Sequence, residues 1–226
     1  MSELSELGSW LLGLTEETME HEGGQDAAHD YDHILRVMAL ADTIQAREGG
    51  DLPTIWAAVA LHDIGQTRER RYGGDHAQIG AEMAADLLSG TQFPQESISI
   101  VQQAIRDHRM TGGAVPQSLE GRILYDADKI DSLGATGIGR LYCITGRYNQ
   151  KVYAPVPAEV VEPVDPLLVR HLRRRPDYSP SIEFRLLFGN LPERMTTETG
   201  RELARERYEY MAGFFTRLQF EVEGKL

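Results

Sequence analysis

The chain has 226 residues, enough for one sizeable core. Its 41% hydrophobic and 26% charged residues are ordinary for a globular protein, and no apolar run approaches the roughly 20 residues that span a bilayer. The formal charge of −12 argues against general affinity for nucleic-acid backbone, which needs a basic face, yet a metal and a few arginines can reverse the field locally for a small anionic substrate.

The N-terminus, MSELSELGSWLLGLTEETMEHEGG, is acidic and lacks the basic start and cleavage site of a signal peptide. The single cysteine, Cys143, excludes an intramolecular disulfide, and together these features predict a cytoplasmic protein. Leu4, Leu7, Leu11, Leu12 and Leu14 predict a first helix that ends in HEGGQDAAHD. From about Asp30, His33, Val37, Leu40, Ala41 and Ile44 mark one face of a second, amphipathic helix. EGGDLP breaks it, and Pro53 starts a third helix expected to run to Asp63 or Ile64 with Gly65 as its C-cap. RRYGGD reads as a loop. HAQIGAEMAADLLSG and PQESISIVQQAIRDH are two further helices, and LEGRILYDADKIDSLGATGIGRLYCITGRY is one or two more, carrying a cluster of acids. Residues 148–180 hold six prolines and predict a long irregular excursion. Helix resumes near Ser181, and the final one opens at TTETGRE like a capping box. No strand alternation is present. The expected class is all-α, a single domain over 1–226 with a core at about 25–147, the excursion, and C-terminal helices over 181–222.

The third helix ends in ALHDIG, which sets an imidazole and a carboxylate among Val59, Leu61 and Ile64. Burying either without a partner costs several kcal/mol or shifts its pKa, so something must compensate them. His33 sits on the apolar stripe of its helix and should face the core. His62 and Asp63, about 100° apart around the axis, straddle the face set by Ile55 and Val59 and can lean toward one point near a helix end. The acids Asp126, Asp128 and Asp131 arrive from a distant helix. Two imidazoles and two carboxylates form a borderline-to-hard ligand set that suits Mn, Fe, Zn, Ni, Co or Mg.

The order His, His-Asp, Asp resembles the signature of the HD-domain metal-dependent phosphohydrolases, and HDIG is a common form of its central motif. DAAHDYDHILRVMALA, DADKIDSLGATGIGRLY and LPERMTTETGRELARERYEYMAGFF extend the likeness to the small bacterial branch of stand-alone HD hydrolases. The resemblance implies His33, His62, Asp63 and Asp128 as ligands of one divalent cation, Asp128 being the middle acid of a DxDxxD-like run. It leaves Asp126 as a cap or supporting partner, Asp131 as a hydrogen-bond partner of a ligand histidine, and Lys129 as a phosphate contact. Arg36, one turn after His33, is expected to pair with a ligand carboxylate or reach substrate. Arg68, Arg70 and Arg71 are expected on a loop at the mouth of the site, where guanidinium forks suit phosphate. RHLRRR at 170–175 would pair with the acidic surface or hold a neighbouring subunit. His76 and His108 are expected as phosphate contacts or proton donors beside one metal, with a second metal as the other reading. The Gly-Tyr-Pro motif of cyclic-dinucleotide phosphodiesterases is absent.

The implied reaction is hydrolysis of a phosphate ester or anhydride in a small molecule, a nucleotide first, of pyrophosphohydrolase or phosphatase type. Asp63 would position water, and His76 or His108 would assist the leaving group. Two other readings stand beside it: a di-iron oxygenase on the same scaffold, and a non-catalytic nucleotide sensor.

Overall fold

The computed structural model describes residues 3–23, 31–109, 114–156, 172, 173, 175 and 177–226, and among these there is no strand. The chain divides into two compact units, residues 1–128 and 129–226.

In the first unit, α1 (Glu3–Glu22), α2 (Tyr31–Glu48) and α6 (Gln95–Asp107) pack around α3 (Leu52–Leu61), while α4 (Gln66–Tyr72) and α5 (His76–Leu88) continue from it. α3 is central because it is apolar nearly all round: Ile55, Val59 and Leu61 have no exposed surface, and each such side chain contributes about 1.5–3 kcal/mol. Its first turn is fixed by Asp51, which accepts from Thr54 N at 3.1 Å and from Thr54 Oγ1 at 2.5 Å, with Pro53 just inside the helix. Thr15 Oγ1 donates to both Leu11 O and Ala60 O at 3.0 Å, tying α1 to the end of α3. On α2, the stripe His33, Val37, Leu40, Ala41 and Ile44 is buried along its whole length. Replacing Asp51 with alanine should lower stability by about 1 kcal/mol and the melting temperature by about 2–4 °C, without changing metal content. Calorimetry and elemental analysis on the same sample check this, because the cap lies at the end of α3 remote from His62.

Two local expectations are corrected. α3 stops at Leu61, with His62 as its C-cap. Gly65 is instead the N-cap of α4, at φ −79° and ψ −12°, a conformation open to any residue. What requires glycine there is space: a Cβ would lie 2.3 Å from His76 O and 2.6 Å from Gly80 N. The second correction is that the arginine run is helical, as α4, and only the Gly-Gly-Asp that follows is loop.

In the second unit, α7 (Leu119–Asp131), whose first ten residues belong to the first unit, leads into α8 (Gly134–Arg147). α9 (Pro180–Phe188), a short 3-10 turn (Pro192–Arg194) and α10 (Glu198–Val222) follow, with α10 packed on α8. Phe184 of α9 stacks on Phe215 of α10 at 4.9 Å between ring centroids. Thr197 caps α10 by accepting from Gly200 N at 2.9 Å, and because the third position is glycine the reciprocal carboxylate of a capping box is missing. Residues 150–156 of the proline-rich segment carry no helix, and 157–171, 174 and 176 lie outside the described residues. The described flanks are stitched together: Ser181 Oγ donates to Ala154 O at 2.8 Å, Gln150 donates to Arg173 O, and Arg173 pairs with buried Glu183. Of the basic run at 170–175, Arg173 and Arg175 are therefore seen in ion pairs, with Glu183 and Asp177, while Arg170 and Arg174 lie outside the described residues. No described helix is long and apolar enough to cross a membrane.

Candidate metal centre

Helix ends build the site. His33 enters from the first turn of α2, His62 and Asp63 from the end of α3, and His108 from the end of α6. Asp128 comes from the last turn of α7. His33, His62, Asp63 and His108 are buried, and Asp128 is half-buried.

His33 Nε2 lies 3.4 Å from Asp128 Oδ1 and 3.7 Å from Asp63 Oδ2. His62 Nε2 lies 3.5 Å from Asp63 Oδ2 and 4.0 Å from Asp128 Oδ1. His108 Nε2 lies 3.7 Å from Asp63 Oδ1. Most of these separations are long for hydrogen bonds. They come nearer to the spacing of ligands around a cation, where bonds of about 2.1 Å at tetrahedral or octahedral angles put neighbouring donors about 3.0–3.4 Å apart. The donors of His33, His62 and Asp128 lie within 4.8 Å of one another, and so do those of His62, Asp63 and His108.

The chemistry of His62 decides what belongs there. Its Nδ1–H donates to Val59 O at 2.8 Å, a carbonyl left unpaired by the helix end, so Nε2 carries the lone pair. That Nε2 is buried with no hydrogen-bond partner. Burial, only partly opposed by Asp63 and Asp128, lowers the His62 pKa to about 4, so the ring is neutral at pH 7. A neutral lone pair facing two carboxylate oxygens is a donor set suited to a cation. Burial pushes the Asp63 carboxyl up, but His62 and the other surrounding imidazoles outweigh it and hold the group well below the usual carboxylate range, ionised and ready to ligate. His33, His62, Asp63 and Asp128 fit a divalent cation.

A file of imidazoles continues outward. His33 meets His62 edge-on at 5.3 Å between centroids, His62 meets His108 at 5.2 Å, and His108 meets His76 at 5.3 Å. The structure thus gathers six of the residues singled out in the sequence. Lys129, next after Asp128 on α7, is buried, and Arg36 is half-buried on α2. Arg68 and Arg71 are engaged elsewhere: Arg68 pairs with Glu22 at 2.8 Å, and Arg71 donates to Glu22 O at 3.0 Å. Arg70 donates to Gln66 at 2.8 Å. Asp126 is fully buried, and Asp131 pairs with Arg140 at 2.9 Å.

Two residues with contacts around His76 and His108 were not anticipated. Glu69 of α4 accepts from His76 Nδ1 at 2.8 Å, and Arg109, directly after His108, pairs at 2.8 Å with Asp75, directly before His76. The GGDH stretch carries a signal for Asp75 as a cap, since it accepts from Ala77 N at 2.9 Å, but no local pattern points to its partner 34 residues on.

The HD domain family matches residues 30–133. A predicted HD superfamily hydrolase from an uncultured Thermotogales bacterium is 30% identical and superposes with a TM-score of 0.65, over 94% of this chain and 91% of that one. The Bacillus subtilis protein YpgQ is 26% identical over 204 residues, 88% of this chain and 87% of its own. Its crystal structure in complex with ADP superposes with a TM-score of 0.69 over 96% of this chain and 95% of that one. Because the domain match falls on the residues that build the cluster, and the 30% identity is sustained over nearly all of both chains, the chain belongs to the HD-domain superfamily of hydrolases.

Proposed function

We propose that this protein is a metal-dependent phosphohydrolase that cleaves a phosphate anhydride or ester in a nucleotide, with release of pyrophosphate placed ahead of release of phosphate. The observation that carries the metal dependence is the buried, partnerless Nε2 of His62 facing Asp63 and Asp128. The observation that favours a nucleotide is that YpgQ, similar over nearly its whole length, is seen in complex with ADP.

A divalent cation held by His33, His62, Asp63 and Asp128 supplies Lewis acidity toward a phosphoryl oxygen and toward water. Asp63 divides its two oxygens, Oδ2 facing His33 and His62 and Oδ1 facing His108, so Oδ1 would orient the attacking water on the His108 side. As the water oxygen bonds to phosphorus and its proton passes to Asp63, the bond to the leaving oxygen breaks and that oxygen takes a proton from Nε2 of His76 or His108 in its doubly protonated, imidazolium form. Lys129 and Arg36 contact the phosphate oxygens and balance the developing charge. Arg68 and Arg71 would have to leave Glu22 to join them. The reaction belongs in the cytoplasm, where the exposed Cys143 stays reduced.

Elemental analysis of the purified protein, followed on the same sample by a nucleotide panel with added Mn, tests this. The expected result is about one metal per chain with release of pyrophosphate or phosphate. About two irons per chain with no phosphorus release would make it a di-iron oxygenase, and tight ADP binding without turnover would make it a sensor. Failure to load any metal would remove the foundation of the reading.

A further inference from the structure

The three histidines beyond His33 are held in two different ways. His62 and His108 both cap the C-terminal ends of helices, where carbonyls lack helical partners, and each spends its Nδ1–H on one of them. His62 donates to Val59 O at 2.8 Å, and His108 donates to Ile105 O at 2.5 Å. Both rings therefore present Nε2 to the cluster at the cost of nothing more than an orphaned carbonyl. His76 has no such recourse, because it is the first residue of α5 and a helix start offers unpaired N–H groups rather than carbonyls. Its Nδ1 is met by a carboxylate, Glu69 Oε2, at 2.8 Å, with the side chains of both residues largely buried.

The placement of that carboxylate is built into the corner between α3 and α5. Gly65 has its α-carbon so close to His76 O and Gly80 N that no side chain fits. α4 therefore starts against the beginning of α5, and Glu69, one turn along, comes level with His76. His76 then meets His108 edge-on at 5.3 Å, and His108 faces Asp63.

We propose that Glu69 is a positioning residue of the reaction: by accepting from Nδ1 it holds His76 in the Nδ1–H tautomer and turns Nε2 away from α4, the role that backbone carbonyls play for His62 and His108. Its consequence for turnover rests on the phosphohydrolase reading; the tautomer does not.

The test compares Glu69→Gln, whose amide oxygen can still accept from Nδ1–H, with Glu69→Ala. Long-range nitrogen-proton NMR of the histidine rings is recorded at pH 8 on the full chain loaded with diamagnetic Zn, and kcat and KM are measured with the nucleotide that the wild type hydrolyses best. The expected result is a His76 ring in the Nδ1–H tautomer in the wild type and Glu69→Gln, and a mixture in Glu69→Ala. kcat should fall about 10–100-fold in Glu69→Ala with KM little changed, and recover most of its value in Glu69→Gln. An unchanged tautomer in Glu69→Ala overturns the proposal, as does an equal loss of kcat in both variants. If the wild type hydrolyses no nucleotide, the functional reading fails while the ring spectra still decide the role of Glu69.

Discussion

Asp63→Ala is expected to lose metal and turnover together while far-UV circular dichroism stays that of the wild type. Asp63 faces each buried imidazole of the cluster: Oδ2 lies 3.5 Å from His62 Nε2 and 3.7 Å from His33 Nε2, and Oδ1 lies 3.7 Å from His108 Nε2. Removing it leaves three imidazoles and one half-buried carboxylate, a set with less charge to hold a divalent ion against water. The helices do not depend on it, since α3 ends at Leu61 and is secured by Ile55, Val59 and Leu61 in the core. Stability makes the contrast measurable. A cation bound at 100 times its Kd stabilises the native wild type by about 2.7 kcal/mol, or about 5–10 °C in melting temperature for a chain of this size. Asp63→Ala should show no such rise on adding Mn. Full turnover in a variant that no longer takes up metal would sink the proposed function.

The all-α class was legible in the sequence, and so was the burial of two histidines of the candidate site. His33 and His62 stood out because each interrupts an apolar pattern at a position the helix period turns inward, and a polar group in a core position demands a partner. The arginines were misplaced for the opposite reason. QTRERRY has no apolar periodicity and buries no residue, so nothing in its own composition announces a helix. What pins it is tertiary: Arg68 and Arg71 reach back to Glu22, and the segment packs on α5. Asp131, one turn after Asp128, was expected to support a ligand histidine; the structure gives it Arg140 as a partner, nine residues on and in the next helix, which no local pattern announces. Glu69 was invisible because its meaning depends on how sharply the chain turns at Gly65. The glycine itself was noticed, but as a helix cap; its requirement is a distance between backbones, which no local pattern encodes.

That distance makes Gly65→Ala the second large effect. The added methyl would sit 2.3 Å from His76 O and 2.6 Å from Gly80 N, both backbone atoms that cannot swing aside as a flexible side chain can. Relief requires the α3–α4 corner to move by about 1 Å from α5, and overpacking of this kind costs about 1–3 kcal/mol. A loss near the upper end corresponds to a fall of about 5–10 °C in melting temperature. Gly80→Ala on the facing helix is the control, because its Cβ would meet His62 O at 3.4 Å and Gly65 N at 3.5 Å, ordinary contact distances. Alanine inside a helix is favoured over glycine by about 1 kcal/mol, so Gly80→Ala should melt at or above the wild-type temperature. The functional consequence reaches both parts of the site. His62 and Asp63 lie within the α3–α4 corner that must move, so Gly65→Ala should take up metal more weakly than the wild type. His76 and Glu69 lie on either side of that corner, so kcat should fall at least as far as it does in Glu69→Ala. A Gly65→Ala protein that melts like the wild type would show that α4 and α5 are not packed as closely as drawn, and the route by which Glu69 reaches His76 would fall with it.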